Sequence, residues 1–148
     1  MSPTIHASAV LIGARAVLIR GPAGSGKSRL ALALLEAEHR VRLPFVRLIG
    51  DDRVQVEAEH GRLLVRSAPA LAGLIEVRGL GIRCVPYEPL AVVGLLVDLG
   101  DAEAVRLPDS AGQYTEIAGV SLPRLAVAAG HDPLPVLLAY LQTRHVQA

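Results

Sequence analysis

The sequence predicts an α/β domain built on a mixed sheet with hairpins. Three observations point there. A short aliphatic run feeds a glycine-rich loop, and an Ala/Leu-rich segment follows it, which reads as strand, loop and helix. That aliphatic run and the one before it, and a later pair of short runs, flank tight turns, the pattern of two hairpins. A long aliphatic run near residue 95 has the composition of a strand covered on both faces. With 148 residues, 51% hydrophobic and 20% charged, the chain is expected to form one domain over 1–148 with a sizeable core.

Taken in order, residues 9–12 and 16–20 are β-branched and aliphatic, and Gly13-Ala14-Arg15 turns between them. Residues 27–38 have high helix propensity. Residues 45–49 form an apolar strand ending at Gly50-Asp51-Asp52-Arg53. Residues 54–57 alternate, Glu59-His60-Gly61 turns, and residues 63–66 return as a second hairpin. Residues 67–73 are a small-residue connection, and 74–77 are a short apolar strand. Gly79 and Gly81 in Arg78-Gly79-Leu80-Gly81 imply unusual backbone angles or a close approach. Residues 92–99 are the strongest buried-strand candidate, and 134–144 a C-terminal helix with Pro133 and Pro135 near its start. That is more hairpins than a doubly wound nucleotide-binding domain normally has.

Bulk properties exclude several classes. The net charge is +1 and the arginines are dispersed, so nucleic acid is not the expected partner. No apolar stretch approaches a membrane span, and Arg15 and Arg20 interrupt the N-terminal region, so neither a membrane protein nor a signal peptide is expected. A single cysteine, Cys84, allows no internal disulfide, which suits a cytoplasmic setting, and is read as a small packed side chain. Asparagine is absent, which excludes the eukaryotic-type protein kinase signature with its metal-binding Asn.

The chemistry concentrates at Gly21-Pro22-Ala23-Gly24-Ser25-Gly26-Lys27-Ser28, which fits G-x-x-x-x-G-K-[ST]. Of 15 cationic side chains, Lys27 is the only lysine. Backbone N–H groups of such a loop point at phosphate oxygens, the lysine meets the β- and γ-phosphates, and the Ser28 hydroxyl reaches Mg²⁺. A nucleoside triphosphate is therefore the expected ligand. Asp51 and Asp52 end a strand where a metal-binding acid is expected beside such a loop; one would hold Mg²⁺ and the other accept a proton from an attacking hydroxyl, with the assignment open. Glu76 and Arg78 share a face if extended, so that one binds metal and the other phosphate. Read alone, those two are better taken as a surface ion pair beside a turn, His6 as a structural or solvated histidine, and Arg106 as a surface charge. His39, His60, His131 and His145 lack metal-ligand spacing. The residues leave open a phosphate-loop kinase acting on a metabolite and a non-catalytic ATP-binding sensor.

His6, the glycine loop, Asp51-Asp52-Arg53-Val54 and Ile75-Glu76-Val77-Arg78-Gly79-Leu80-Gly81-Ile82, in that order, resemble the bacterial HPr kinase/phosphorylase family in a short form without its N-terminal domain. The resemblance is good over 6–82 and weak beyond. It implies a catalytic fold like that of phosphoenolpyruvate carboxykinase, ATP and Mg²⁺, a hexamer, and phosphorylation of a serine on HPr, the phosphocarrier of the sugar phosphotransferase system. In reverse it implies removal of that phosphate by phosphorolysis. Carried over, it makes His6, Lys27, Asp51, Asp52 and Arg106 catalytic-site residues, Gly21 to Ser28 the nucleotide loop, and Ser28 and Glu76 the Mg²⁺ ligands. Residues 78–81 fall around the reaction centre. Two departures stand out. The glycine-rich loop that usually follows the Gly-x-Gly segment is missing after Ile82, and the family's Gly-Arg-Asn is replaced by Gly130-His131-Asp132-Pro133, a region linked to dephosphorylation.

Overall fold

The protein is described from a computed structural model, over residues 3–101, 104 and 113–143. Its strands are β1 (Thr4–Ile5), β2 (Ala7–Ile12), β3 (Arg15–Arg20), β4 (Val46–Gly50), β5 (Val54–Glu59), β6 (Arg62–Arg66), β7 (Leu74–Val77), β8 (Gly81–Cys84), β9 (Ala91–Leu99), β10 (Tyr114–Ile117) and β11 (Val120–Val127). Two α-helices accompany them, α1 (Lys27–Arg40) and α2 (Pro133–Gln142), with a 3₁₀ turn at Pro69–Leu71.

The main sheet is mixed and runs β1-β5-β6-β9-β3-β2-β4. The long strand β9 organises it. One edge of β9 pairs in parallel with β3 through Val93 to Asp98. The other edge pairs antiparallel with β6 at Ala91 and Val92, then in parallel with β11 from Leu96 to Leu99. The β10–β11 hairpin thus continues the sheet where β6 leaves it. Since β2 is antiparallel to both β3 and β4, the C-terminal ends of β3, β4, β9 and β11 lie at one edge. Open α/β sheets bind ligands outside the carboxyl ends of their strands.

Both faces are covered, which explains the uninterrupted aliphatic sequence of β3. Val17 and Ile19 point toward α1 and pack with Leu30, Leu34, Val97 and Leu137. Ala16 and Leu18 point the other way and pack with Val54, Val56, Leu63, Val65 and Leu96 beneath the curled β5–β6 arm. A period of two in side-chain direction divides the chain into these two cores. Three elements differ from expectation. β8 pairs with β7, from Leu74↔Cys84 to Val77↔Gly81, in a separate two-stranded ribbon. Its residues are all exposed, so no apolar alternation marks it, and Cys84 is exposed rather than packed. β11 contains Pro123, which disfavours a strand, but Pro123 precedes Arg124, where the ladder with β9 begins. α2 ends at Gln142 and starts under a cap in which Asp132 accepts from the Leu134 N–H. Among the described residues, no helix is long and apolar enough to cross a membrane.

Candidate functional site

The glycine loop leaves β3 at Gly21 and enters α1 at Lys27 without an intervening residue outside the motif. Gly21 is required by close approach. A Cβ there would lie 2.5 Å from Ser25 Oγ and 3.0 Å from the Leu99 carbonyl oxygen. The start of α1 has no side-chain cap and no acidic residue in its first turn. Its first N–H groups therefore keep their partial positive charge for an external anion. The Lys27 ammonium donates to the carbonyls of Gly21 at 2.9 Å and Pro22 at 3.3 Å, closing the loop on itself.

Below the loop, Arg20 is anchored. Its Nε and second guanidinium nitrogen donate to the two oxygens of Asp98 at 2.9 and 3.0 Å. Arg124 on β11 donates to the same carboxylate at 2.6 Å and also pairs with Asp101. Burial alone would raise the Asp98 carboxyl, but the hydrogen bonds and charges of Arg20 and Arg124 outweigh it and hold the group below its ordinary 3.8. The clamp joins β3, β9 and β11 under the loop's root.

Opposite the loop stands the Asp51-Asp52 pair, and the two acids differ. Asp51 is partly buried and collects donors. Ser28 Oγ donates to its Oδ1 at 2.6 Å, Ser8 Oγ to the same oxygen at 2.8 Å, and the Glu76 N–H to Oδ2 at 3.1 Å. One carboxylate thus ties the phosphate loop, β2 and the β7–β8 ribbon together. Asp52 is exposed at a left-handed φ of 67°, and among the described residues its carboxylate has no hydrogen-bond or ion-pair partner. Its N–H instead donates to Ser8 Oγ at 3.2 Å and its carbonyl accepts from the Ala7 N–H. The bent backbone turns the second acid away from the first.

An open cleft of about 890 Å³ lies between these parts, lined by Gly24, Lys27, Ser28, Asp52, Glu76 and Arg78 among others. The Gly-x-Gly turn of the ribbon closes one side. Gly79 and Gly81 sit at φ of 84° and 96° with nothing within 4 Å of where a Cβ would be, so they supply backbone angle and not close packing. His6 is exposed in the bend between β1 and β2, directly before Ala7, and the cleft lining does not include it. Arg106 lies outside the described residues.

Ser8 was not foreseen. It is fully buried, donates to Asp51 and accepts from Asp52, so it sets the spacing of the acidic pair. Its signal in the sequence is a hydroxyl inside the apolar Ala7-Ser8-Ala9-Val10, where buried polar groups need partners. The Arg20–Asp98–Arg124 clamp was likewise unforeseen, because its members lie 78 and 26 residues apart. The arrangement offers anion-binding amides, an ammonium, a hydroxyl tied to one carboxylate, and a second carboxylate free to take a proton.

Comparison with known proteins agrees over most of the chain. Residues 1–87 match the family model of the HPr Serine kinase C-terminal domain. The HPr kinase/phosphorylase of Halalkalibacterium halodurans is 34% identical over 140 residues, covering 86% of this chain and 43% of that protein. That of Limosilactobacillus reuteri is 37% identical over 136 residues, covering 84% and 40%. The chain thus spans about two fifths of the length of these curated relatives. The structure of the Hpr(Ser) kinase/phosphatase from Coxiella burnetii superposes with a TM-score of 0.74 at 28% identity, covering 94% of this chain and 93% of that one.

Proposed function

Since the chain belongs to the HPr serine kinase C-terminal domain family, we propose that it transfers the γ-phosphoryl group of ATP to a serine of the phosphocarrier HPr. The observation that carries this reading is the unequal pair of acids. Asp51 is engaged by Ser28 at 2.6 Å, whereas Asp52 faces the cleft unpaired among the described residues. That supports Asp51 on the metal and nucleotide side and Asp52 as the base.

The residues present fit Mg²⁺. Ser28 and Glu76 line the cleft, and Asp51 stands behind them, accepting from Ser28 Oγ and the Glu76 N–H, so hard oxygen donors gather there. Among the described residues, no three His, Cys, Asp or Glu side chains converge as a metal cage, and Mg²⁺ on a nucleotide does not require one. When bound, Mg²⁺ would withdraw charge from the phosphate oxygens. The chain's own groups do the rest. Loop amides and the first turn of α1 hold the phosphates, and Lys27 exchanges the Gly21 and Pro22 carbonyls for phosphate oxygens. The serine oxygen attacks the γ-phosphorus, the bond to the bridging oxygen of the β-phosphate breaks, and Asp52 takes the serine proton. ADP and phosphoserine are the products. Positioning and preorganised charge supply most of the acceleration in such transfers. His6 stands one residue from the Ala7 N–H that holds the Asp52 carbonyl, which supports a place for it on the acceptor side. Arg106 joins the proposal through the family resemblance, as do a hexamer, a cytoplasmic location and the reverse phosphorolysis.

The test incubates the protein with γ-labelled ATP, Mg²⁺ and either HPr or a panel of hydroxyl metabolites. Label on HPr alone is expected, and its release as pyrophosphate on adding inorganic phosphate tests the reverse reaction. Label on a metabolite, or ATP binding with no transfer, would overturn the reading.

A further inference from the structure

We infer that Ser8 is a positioning residue for the transfer step: its hydroxyl joins the two acids, and it acts on the rate of transfer and not on nucleotide affinity. This rests on the reading of Asp52 as the base. Ser8 lies on β2 at the level where β4 has ended and the acidic pair begins. Ala9 is paired with Gly50, the last residue of β4, and beyond it the Ala7 N–H donates to the Asp52 carbonyl at 3.1 Å. Ser8 stands opposite Ile19 in the ladder and so shares its face of the sheet, the face that α1 covers. On a face otherwise built from Val10, Val17 and Ile19, a fully buried hydroxyl adds little to packing, and its contribution lies in its bonds.

A hydroxyl has one proton and two lone pairs. The Asp52 N–H can only donate, so its 3.2 Å bond occupies a lone pair of Ser8 Oγ. The Ser8 proton goes to Asp51 Oδ1 at 2.8 Å. A donor for the first acid and an acceptor for the second thus meet in one atom. Asp52 stands at a left-handed φ of 67°, which a residue with a side chain holds only where its surroundings fix it. Ser8 Oγ holds its N–H and the Ala7 N–H holds its carbonyl, while its carboxylate has no partner among the described residues. The direction of the base is therefore set through its backbone, from behind, by groups away from the substrate. Removing the Ser8 hydroxyl frees the Asp52 amide and lets the turn relax, and a reacting group misplaced by about 1 Å can lose on the order of 10²-fold in rate. Lys27 is held by the Gly21 and Pro22 carbonyls and Ser28 keeps its own bond to Asp51, so the nucleotide side stays as it was.

The test measures label transfer from ATP to HPr, and Mg·ATP affinity by calorimetry, on the full chain. It uses Ser8→Ala and also Ser8→Cys, whose thiol keeps the site filled should the alanine protein fail to fold. In either variant kcat should fall roughly 10- to 100-fold with Mg·ATP affinity unchanged. Combination with Asp52→Asn separates positioning from general damage. Once the base is gone its direction no longer matters, so the Ser8 change should cost almost nothing more, whereas a merely structural defect would multiply the two losses. Wild-type kcat in both single variants, a loss confined to ATP affinity, or losses that multiply would overturn the role of Ser8 and leave the kinase reading standing. No transfer to HPr by the wild type would overturn the kinase reading itself and the role of Ser8 with it.

Discussion

Asp51→Asn removes acceptor capacity from the carboxylate on which three donors converge. Ser28 and Ser8 reach Oδ1 at 2.6 and 2.8 Å, and the Glu76 N–H reaches Oδ2 at 3.1 Å. A carboxamide keeps only one oxygen. If that oxygen stays with the serines, its NH₂ group meets the Glu76 N–H, donor against donor. If it turns over, the two hydroxyls must find other acceptors. A hydrogen bond to a charged group contributes about 1.5–3 kcal/mol, so losing one, with the remaining two weakened, costs roughly 2–3 kcal/mol. In a chain of 148 residues each kcal/mol moves Tm by about 3 °C, so calorimetry should find a fall of roughly 6–9 °C. Asp52→Asn is the contrast. Its φ of 67° is one that asparagine tolerates and its carboxylate has no partner among the described residues, so Tm should move by less than about 2 °C. An Asp51→Asn protein that melts with the wild type, or an Asp52→Asn protein that falls as far, would refute this division of labour.

Lys27→Ala should leave Tm within about 2 °C, since the two bonds it loses are to loop carbonyls at the edge of an open cleft, while nucleotide-dependent transfer disappears; calorimetry and label transfer read the two effects. Asp98 is held below its ordinary 3.8, so its folded form binds a proton less readily than its unfolded form. The stability it contributes is complete above about pH 4 and is lost as pH falls through the lowered value, and Asp98→Asn should flatten that part of an acid-unfolding curve. Gly79→Ala, at φ of 84° in open space, meets no clash and costs only its backbone angle, about 1–2 kcal/mol by denaturant titration.

Local chemistry made much of this protein legible. The β2–β3 hairpin, the glycine loop and α1 are set by residues close in sequence, and the G-x-x-x-x-G-K-[ST] pattern holds its functional groups within eight positions. β7 was visible by composition, whereas β8 was hidden because a strand exposed along its whole length has no alternation to read. The inequality of Asp51 and Asp52 was hidden too. It comes from Ser8, Ser28 and the Glu76 N–H, which are brought in from three other elements by strand order. The pairing of Arg20 with Asp98 needed the parallel register of β3 and β9, which adjacent residues do not encode.

The most direct measurement is mass-spectrometric mapping of HPr after reaction with this protein, ATP and Mg²⁺, run beside Asp52→Asn. The wild type should place a single phosphate on a serine of HPr. Asp52→Asn should bind ATP as before and transfer about 10²–10⁴ times more slowly, the usual contribution of a general base. Unmodified HPr with the wild type, or undiminished transfer by Asp52→Asn, would contradict the account.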